Sequence, residues 1–260
     1  MTTAPRRSTI QRIAIILAVV IQIGATFLPQ LGYGEPIGER SDGVRTLITP
    51  AGWAFAIWGP LFFGSALYAL WQALPEQQDN MLLARIGWVS VPALALQGVW
   101  ALYTQFANLT FVSALIILGS LACLLAILRV LVTFEREFSL VERTIVAITF
   151  SALAAWLTAA SIVNISATLV FHEILAQRSY PLLTSAIVMV GGVIASMAVW
   201  RSRGNPWYAL VFVWALLAIY MRSGQQSAAI AIACALSGLL VLGCAALRLS
   251  LRTERQHWFG

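Results

Sequence analysis

The chain contains no lysine: all sixteen basic residues are arginine. A retinal Schiff base, a pyridoxal-phosphate aldimine and a P-loop lysine each need that amine, so all three are excluded. Charge of either sign is scarce, at 10% of residues, where a soluble domain carries about a quarter. The two histidines, His172 and His257, stand far apart, and Cys123, Cys234 and Cys244 each fall inside an apolar run. With no C-x-x-C or H-x-x-x-H spacing, no protein-only metal site is expected, and the thiols read as small buried hydrophobes.

What the sequence has in excess is apolar length. Hydrophobic residues make up 60% of the chain and the mean hydropathy is +0.85. A bilayer-crossing helix needs about 20 apolar residues. Eight stretches qualify, at roughly 10–28, 49–74, 82–105, 109–132, 143–170, 181–200, 206–222 and 226–247. Short alternating strands, the mark of a membrane barrel, are missing. The expected fold is therefore all-α, a polytopic transmembrane helical bundle of about eight spans. "GATFLPQ" after the first span gives no good small-residue cleavage site, so that span reads as an anchor.

The net charge of +6 does not point to nucleic acid, because the arginines are scattered among the connections. They do set an orientation. With the N-terminus in the cytoplasm, the inner segments hold Arg6, Arg7, Arg12, Arg85, Arg129, Arg136, Arg143, Arg201, Arg203, Arg248, Arg252 and Arg255. The outer ones hold Arg40, Arg45, Arg178 and Arg222. This three-to-one excess predicts both termini inside. The longest outer connection, "QLGYGEPIGERSDGVRTL", reads as irregular, either a lid over a cavity or a plain connector. It ends at Thr49-Pro50, read as an N-cap followed by a first-turn proline.

No span centre carries Asp, Glu, Arg or His. That argues against a proton-coupled pump, a charged-ring channel and a membrane enzyme built on paired carboxylates. What remains inside is aromatic or neutral: Trp58, Gln97, Trp100, Tyr103, Trp156, Asn164 and Trp214. Trp156, Ala160 and Asn164 share one helical face, and so do Gln97, Trp100 and Tyr103. Such faces suit a flat, apolar ligand. The plainer alternative is packing: Gln97 and Asn164 would hydrogen-bond between helices, while Trp71, Trp88, Trp200 and Trp207 form an interface belt. Ser151, Ala155 and Ala159 read as a close-packing face, as do Ala229, Ala233 and Ser237.

Three segments together resemble the TspO/MBR family, the tryptophan-rich sensory proteins related to the mitochondrial translocator protein. They are Pro50, Trp53, Phe55, Trp58 and Tyr68 in the second span, Gln97 and Trp100 in "LALQGVWALY", and Trp156, Ala160 and Asn164 in "WLTAASIVN". There are departures. Trp58 follows Trp53 by five residues where the family usually has six, Gln97 replaces asparagine, Leu153 stands for the usual tyrosine, and "ISATLVFHE" lacks the sterol-type motif. The resemblance implies a five-helix core over residues 1–175 and a three-helix addition with a cytoplasmic tail over 176–260. It implies a pocket open toward the long first loop, lined by Trp53, Phe55, Trp58, Gln97, Trp100, Trp156, Ala160 and Asn164. Its expected occupant is a porphyrin or other tetrapyrrole, or a sterol-like molecule, with membrane lipids and a second copy of the chain as further partners. The resemblance also brings light-dependent porphyrin breakdown, attributed to members of that family, yet no acid, base or nucleophile stands in the membrane interior here. Two other classes stay open: a transporter of an uncharged lipophilic solute, and a structural membrane assembly factor.

Overall fold

A computed structural model describes residues 7–44, 46–174 and 180–260. Arg6, Arg45 and Arg178, which entered the orientation count, lie outside the described residues, as does the 175/176 boundary. The described residues form helices and no strand. Eight helical segments are long and apolar enough to cross a membrane: Thr9–Leu31, Gly52–Ala73, Met81–Ala107, Phe111–Val132, Glu142–Phe171, Pro181–Arg201, Pro206–Gly224 and Ala228–Leu249.

Their α-helical parts are α1 (Thr9–Gly24), α3 (Trp58–Ala73), α4 (Met81–Ala107), α5 (Phe111–Val132), α6 (Ile148–Phe171), α7 (Pro181–Arg201), α8 (Pro206–Ile219) and α9 (Ala228–Leu249). Two short helices flank the spans, α2 (Ile37–Gly43) in the first loop and α10 (Arg252–Phe259) at the C-terminus. Local chemistry sets several starts. Ser8, Asn80, Thr110 and Asn205 each accept a backbone N–H of the first turn of α1, α4, α5 and α8, and Pro181 and Pro206 open α7 and α8.

One sequence expectation is corrected at the second span. Thr49 does not cap a helix: its Oγ1 accepts from the Thr46 N–H, and helix begins later, as a 3-10 segment over Gly52–Ile57. The first loop is also less irregular than its composition suggests. The first span runs on as 3-10 helix over Ala25–Leu31, carried through Pro29, and α2 follows.

Helix α6 is the axis of the bundle, in contact with α3, α5 and α8, while α1 packs on α4 and α7 on α9. Every residue from Thr149 to Ala159 is buried. Ser151, Ala152, Ala154, Ala155 and Ala159 let neighbours approach that segment from several sides, which is how helices associate when lipid supplies no hydrophobic drive. Glycine permits two other close approaches. A Cβ at Gly98 of α4 would stand 2.5 Å from the Ile21 carbonyl oxygen of α1, and one at Gly192 of α7 would collide with Ser237 of α9.

The end of the bundle that carries both termini is tied by polar side chains. Arg7 is buried and donates from Nε to Gln11 Oε1 (2.9 Å), from Nη1 to the Gln72 carbonyl (2.9 Å) and from Nη2 to Gln72 Oε1 (2.6 Å). Glu142 accepts from Asn80 Nδ2 (3.1 Å) and pairs with Arg136 (2.6 Å). The tail is a docked helix: Trp258 of α10 is fully buried and donates to the Arg203 carbonyl at 3.1 Å. Glu254 sits between Arg248 (2.6 Å) and Arg203 (3.4 Å), and Arg143 donates to the Phe259 carbonyl (2.8 Å).

An aromatic cavity beneath the first loop

The opposite end is hollow. A cavity of about 710 Å3 lies between α1, the second span and α4, roofed by α2. Its aromatic wall comes from Phe55, Trp58 and Phe62, its amide wall from Gln22, Gln97 and Gln105, and Trp100 lies on the same side as the amides along α4. Its size falls within the roughly 300–1,000 Å3 of small-molecule sites. A smaller cavity of about 50 Å3 adjoins it, and Ile37, Ser41, Phe55 and Trp100 line both. Trp156, Ala160 and Asn164 line the smaller one, together with Ala215 and Ile219 of the seventh span.

Seven of the eight sequence candidates therefore meet at these two cavities, and one does not. Phe55 and Trp100 line both, Trp58 and Gln97 the larger, and Trp156, Ala160 and Asn164 the smaller. Trp53 lines neither. It is 42% exposed and packs edge-on against Trp214 at 4.8 Å between ring centroids, and Trp214 donates to the Ala54 carbonyl. Trp53 and Trp58 are five residues apart, a spacing that turns them to different faces whether the helix has about 3.0 or 3.6 residues per turn.

The tryptophans around the cavities form an edge-to-face set. Trp156 receives Trp58 at 6.0 Å and Phe55 at 6.3 Å, both nearly perpendicular, and Trp58 also packs on Phe62 at 5.1 Å. Perpendicular rings of this kind hold one another by the quadrupole of the π system.

The amides hold this wall in place. Trp100 Nε1 donates to Asn164 Oδ1 at 2.8 Å, and Asn164 Nδ2 donates to Ser113 (2.9 Å) and Thr168 (3.2 Å). Two motifs sixty-four residues apart are thus one hydrogen-bonded unit across α4, α5 and α6. A second chain of amides crosses from α4 to α1. The Ala93 carbonyl accepts from Gln97 Nε2 (2.8 Å) and from Ser120 (2.7 Å), and Gln97 Oε1 accepts from Gln22 Nε2 (2.8 Å). A backbone carbonyl can only accept, so it fixes the orientation of Gln97 and then of Gln22. Gln22 Oε1 is left buried and without a partner. So is Gln105 Oε1, because Gln105 gives its Nε2 to the Ala25 carbonyl.

Among the described residues lining the larger cavity, charge stands at the roof. Asp42 of α2 and Arg222 of the seventh span are the charged residues among those lining the larger cavity. Arg222 Nη2 meets Asp42 Oδ1 at 2.6 Å and Nη1 donates to the Pro50 carbonyl at 2.9 Å. Among the described residues no group of three or more His, Cys, Asp or Glu side chains is placed to hold a metal ion.

Sequence reasoning did not single out Gln22, Gln105, Phe62, α2 or Arg222. The glutamines carried a signal, since a lone amide within an apolar span is costly unless paired or functional. Arg222 gave none, because at a span end it reads as an orientation charge.

The fold and site define a multi-pass helical membrane protein with an aromatic, neutral cavity at one end. The family model for TSPO-like protein matches residues 8–247, all but the chain's extremities, and the chain belongs to that family. The match runs through all eight spans, beyond the five-helix stretch whose motifs carry the resemblance. No curated protein and no solved structure matches the chain.

Proposed function

We propose that this protein binds a flat, largely apolar small molecule, such as a porphyrin, another tetrapyrrole or a sterol, in the cavity beneath α2. The observation that carries this reading is the cavity of about 710 Å3 walled by Phe55, Trp58, Phe62 and Trp100, with no charged side chain below its roof among the described residues. Stacking surfaces of this kind favour a planar ligand, and the absence of an interior acid or base favours binding over chemistry on the ligand. The smaller cavity, at about 50 Å3, has room for a substituent rather than a ring system.

Residues 1–175 are the unit that supplies most of the wall, with 176–260 as an addition that closes it. Ala215, Ile219 and Arg222 reach the two cavities from that addition. Both termini face the cytoplasm in this reading, following the arginine excess at that end.

The test is a titration of detergent-solubilised protein with protoporphyrin IX, read by tryptophan quenching and the Soret band. Saturable quenching that Trp100→Ala weakens supports the site. Quenching that is linear with added porphyrin, or untouched by that substitution, removes it.

A further inference from the structure

Among the described residues lining the larger cavity, Arg222 is the one cation. It is not spent on the fold alone. One side of its guanidinium holds the Pro50 carbonyl, and the other meets the Asp42 carboxylate on α2. That helix has seven residues and polar ties to the bundle. Arg40 donates to the Gln105 carbonyl at 3.0 Å, the Glu35 N–H just before the helix reaches the same carbonyl at 3.1 Å, and Asp42 meets Arg222.

We propose that Arg222 recognises an acidic group on the ligand of this cavity, and that the Asp42 carboxylate holds that place until the ligand takes it. The inference rests on the binding reading above and sharpens it: the ligand is a planar apolar acid rather than a neutral sterol. Energetics allow the exchange. The Asp42 side chain is 50% exposed and Arg222 21%, so the pair is a rim ion pair. Such pairs are worth about 0–1 kcal/mol. A ligand carboxylate that makes the same charge-assisted bond while its apolar body is held by Trp58 and Trp100 displaces Asp42 at little cost.

The segment around Arg222 suits the role. Tyr220–Gly224 is a π-helical turn at the end of the seventh span. Such turns are uncommon in helices and re-aim side chains, often at functional sites. Here the turn sits where the seventh span meets the cavity mouth.

Protoporphyrin IX and its dimethyl ester give a matched pair, with the same ring and with or without the two carboxylates. The wild-type protein is expected to bind the acid about tenfold more tightly than the ester, with the difference shrinking at high salt. In Arg222→Gln the acid loses about tenfold more affinity than the ester does. Arg222→Lys keeps the charge and retains part of the preference, which separates charge recognition from loss of the Pro50 contact. Asp42→Asn removes the internal competitor, so affinity for the acid rises while the acid-to-ester ratio grows. Equal binding of acid and ester by the wild type, or a preference that survives Arg222→Gln, overturns the inference and leaves the cavity reading standing. Saturable binding of neither compound overturns both.

Discussion

The two ends of this bundle are made of different materials. At the end bearing Arg7 and α10, charged and polar groups are plentiful and tie the spans to one another: Arg7 with Gln11 and Gln72, Glu142 with Asn80 and Arg136, Glu254 with Arg203 and Arg248. Trp258 at its centre is sealed from solvent and packs on the buried Phe138. At the other end the aromatics surround empty volume, and two buried glutamine oxygens, on Gln22 and Gln105, have no partner. A buried acceptor left unpaired costs about 1–3 kcal/mol. The comparison teaches a division of labour: one end is cross-tied by charged groups and holds the spans together, while the other encloses a volume, edged by unpaired glutamine oxygens, that a ligand can use.

The sharpest way to break that division is at Trp258. Trp258→Ala removes a fully buried ring, and about 3–5 kcal/mol of stability should go with it, measured by denaturant unfolding in detergent. Porphyrin affinity should stay within about twofold, since distant sites act additively. A large fall in affinity would mean the two ends are coupled.

Next comes Asn164. Asn164→Leu strands the Trp100 indole N–H, while Ser113 and Thr168 keep their bonds to the Thr110 carbonyl, at a cost of about 1–3 kcal/mol. This variant should lose both thermal stability and ligand affinity, because Trp100 loses the bond that sets its ring. Stability lost with affinity intact would move Asn164 to the structural side of the comparison.

Ala160→Phe sharpens the hollow end alone. The smaller cavity, at about 50 Å3, cannot take a benzyl group without pushing on Phe55 and Trp100. Porphyrin binding should weaken about tenfold, equal to about 1.4 kcal/mol. Trp200→Ala is the control: Trp200 is 46% exposed, lies under the Arg248 guanidinium near the closed end, and should leave binding unchanged.

The smallest effect is a pH dependence of the closed end. His257 on α10 has its pKa pushed down to about 4, chiefly by burial, then by the charge of Arg203, with Arg143 adding and the Leu131 backbone opposing. Arg203 Nη1 lies 3.0 Å from its Nδ1, an arrangement suited to a neutral ring. Between pH 6.5 and about 4 the unfolded chain binds a proton that the docked helix refuses. Stability from this group is therefore full above 6.5 and falls as pH drops toward 4. Hydrogen exchange should show α10 losing protection over that window, and His257→Phe should flatten the response.

Legibility followed the range of the interaction. Span number and approximate ends could be read directly, since about 20 apolar residues must form a helix whose backbone bonds close within the segment. The Trp156–Ala160–Asn164 face followed from helical periodicity alone. Trp53 entered through the family resemblance and not through periodicity, and its ring packs on Trp214. Gln97 and Asn164 were found as candidates, but their partners, Gln22 on α1 and Trp100 on α4, lie seventy-five and sixty-four residues away.

The sequence by itself determined the class: a charge-poor, lysine-free chain of eight apolar spans can only be a helical membrane protein whose interior is neutral. Tertiary structure alone decided which ring faces the cavity, which amide is left unpaired, and that Arg222 of the seventh span meets Asp42 of the first loop. The physical reason is that hydrophobic length and helical period are properties of one segment. A cavity and its hydrogen bonds exist only where several segments meet, and no local pattern records that meeting.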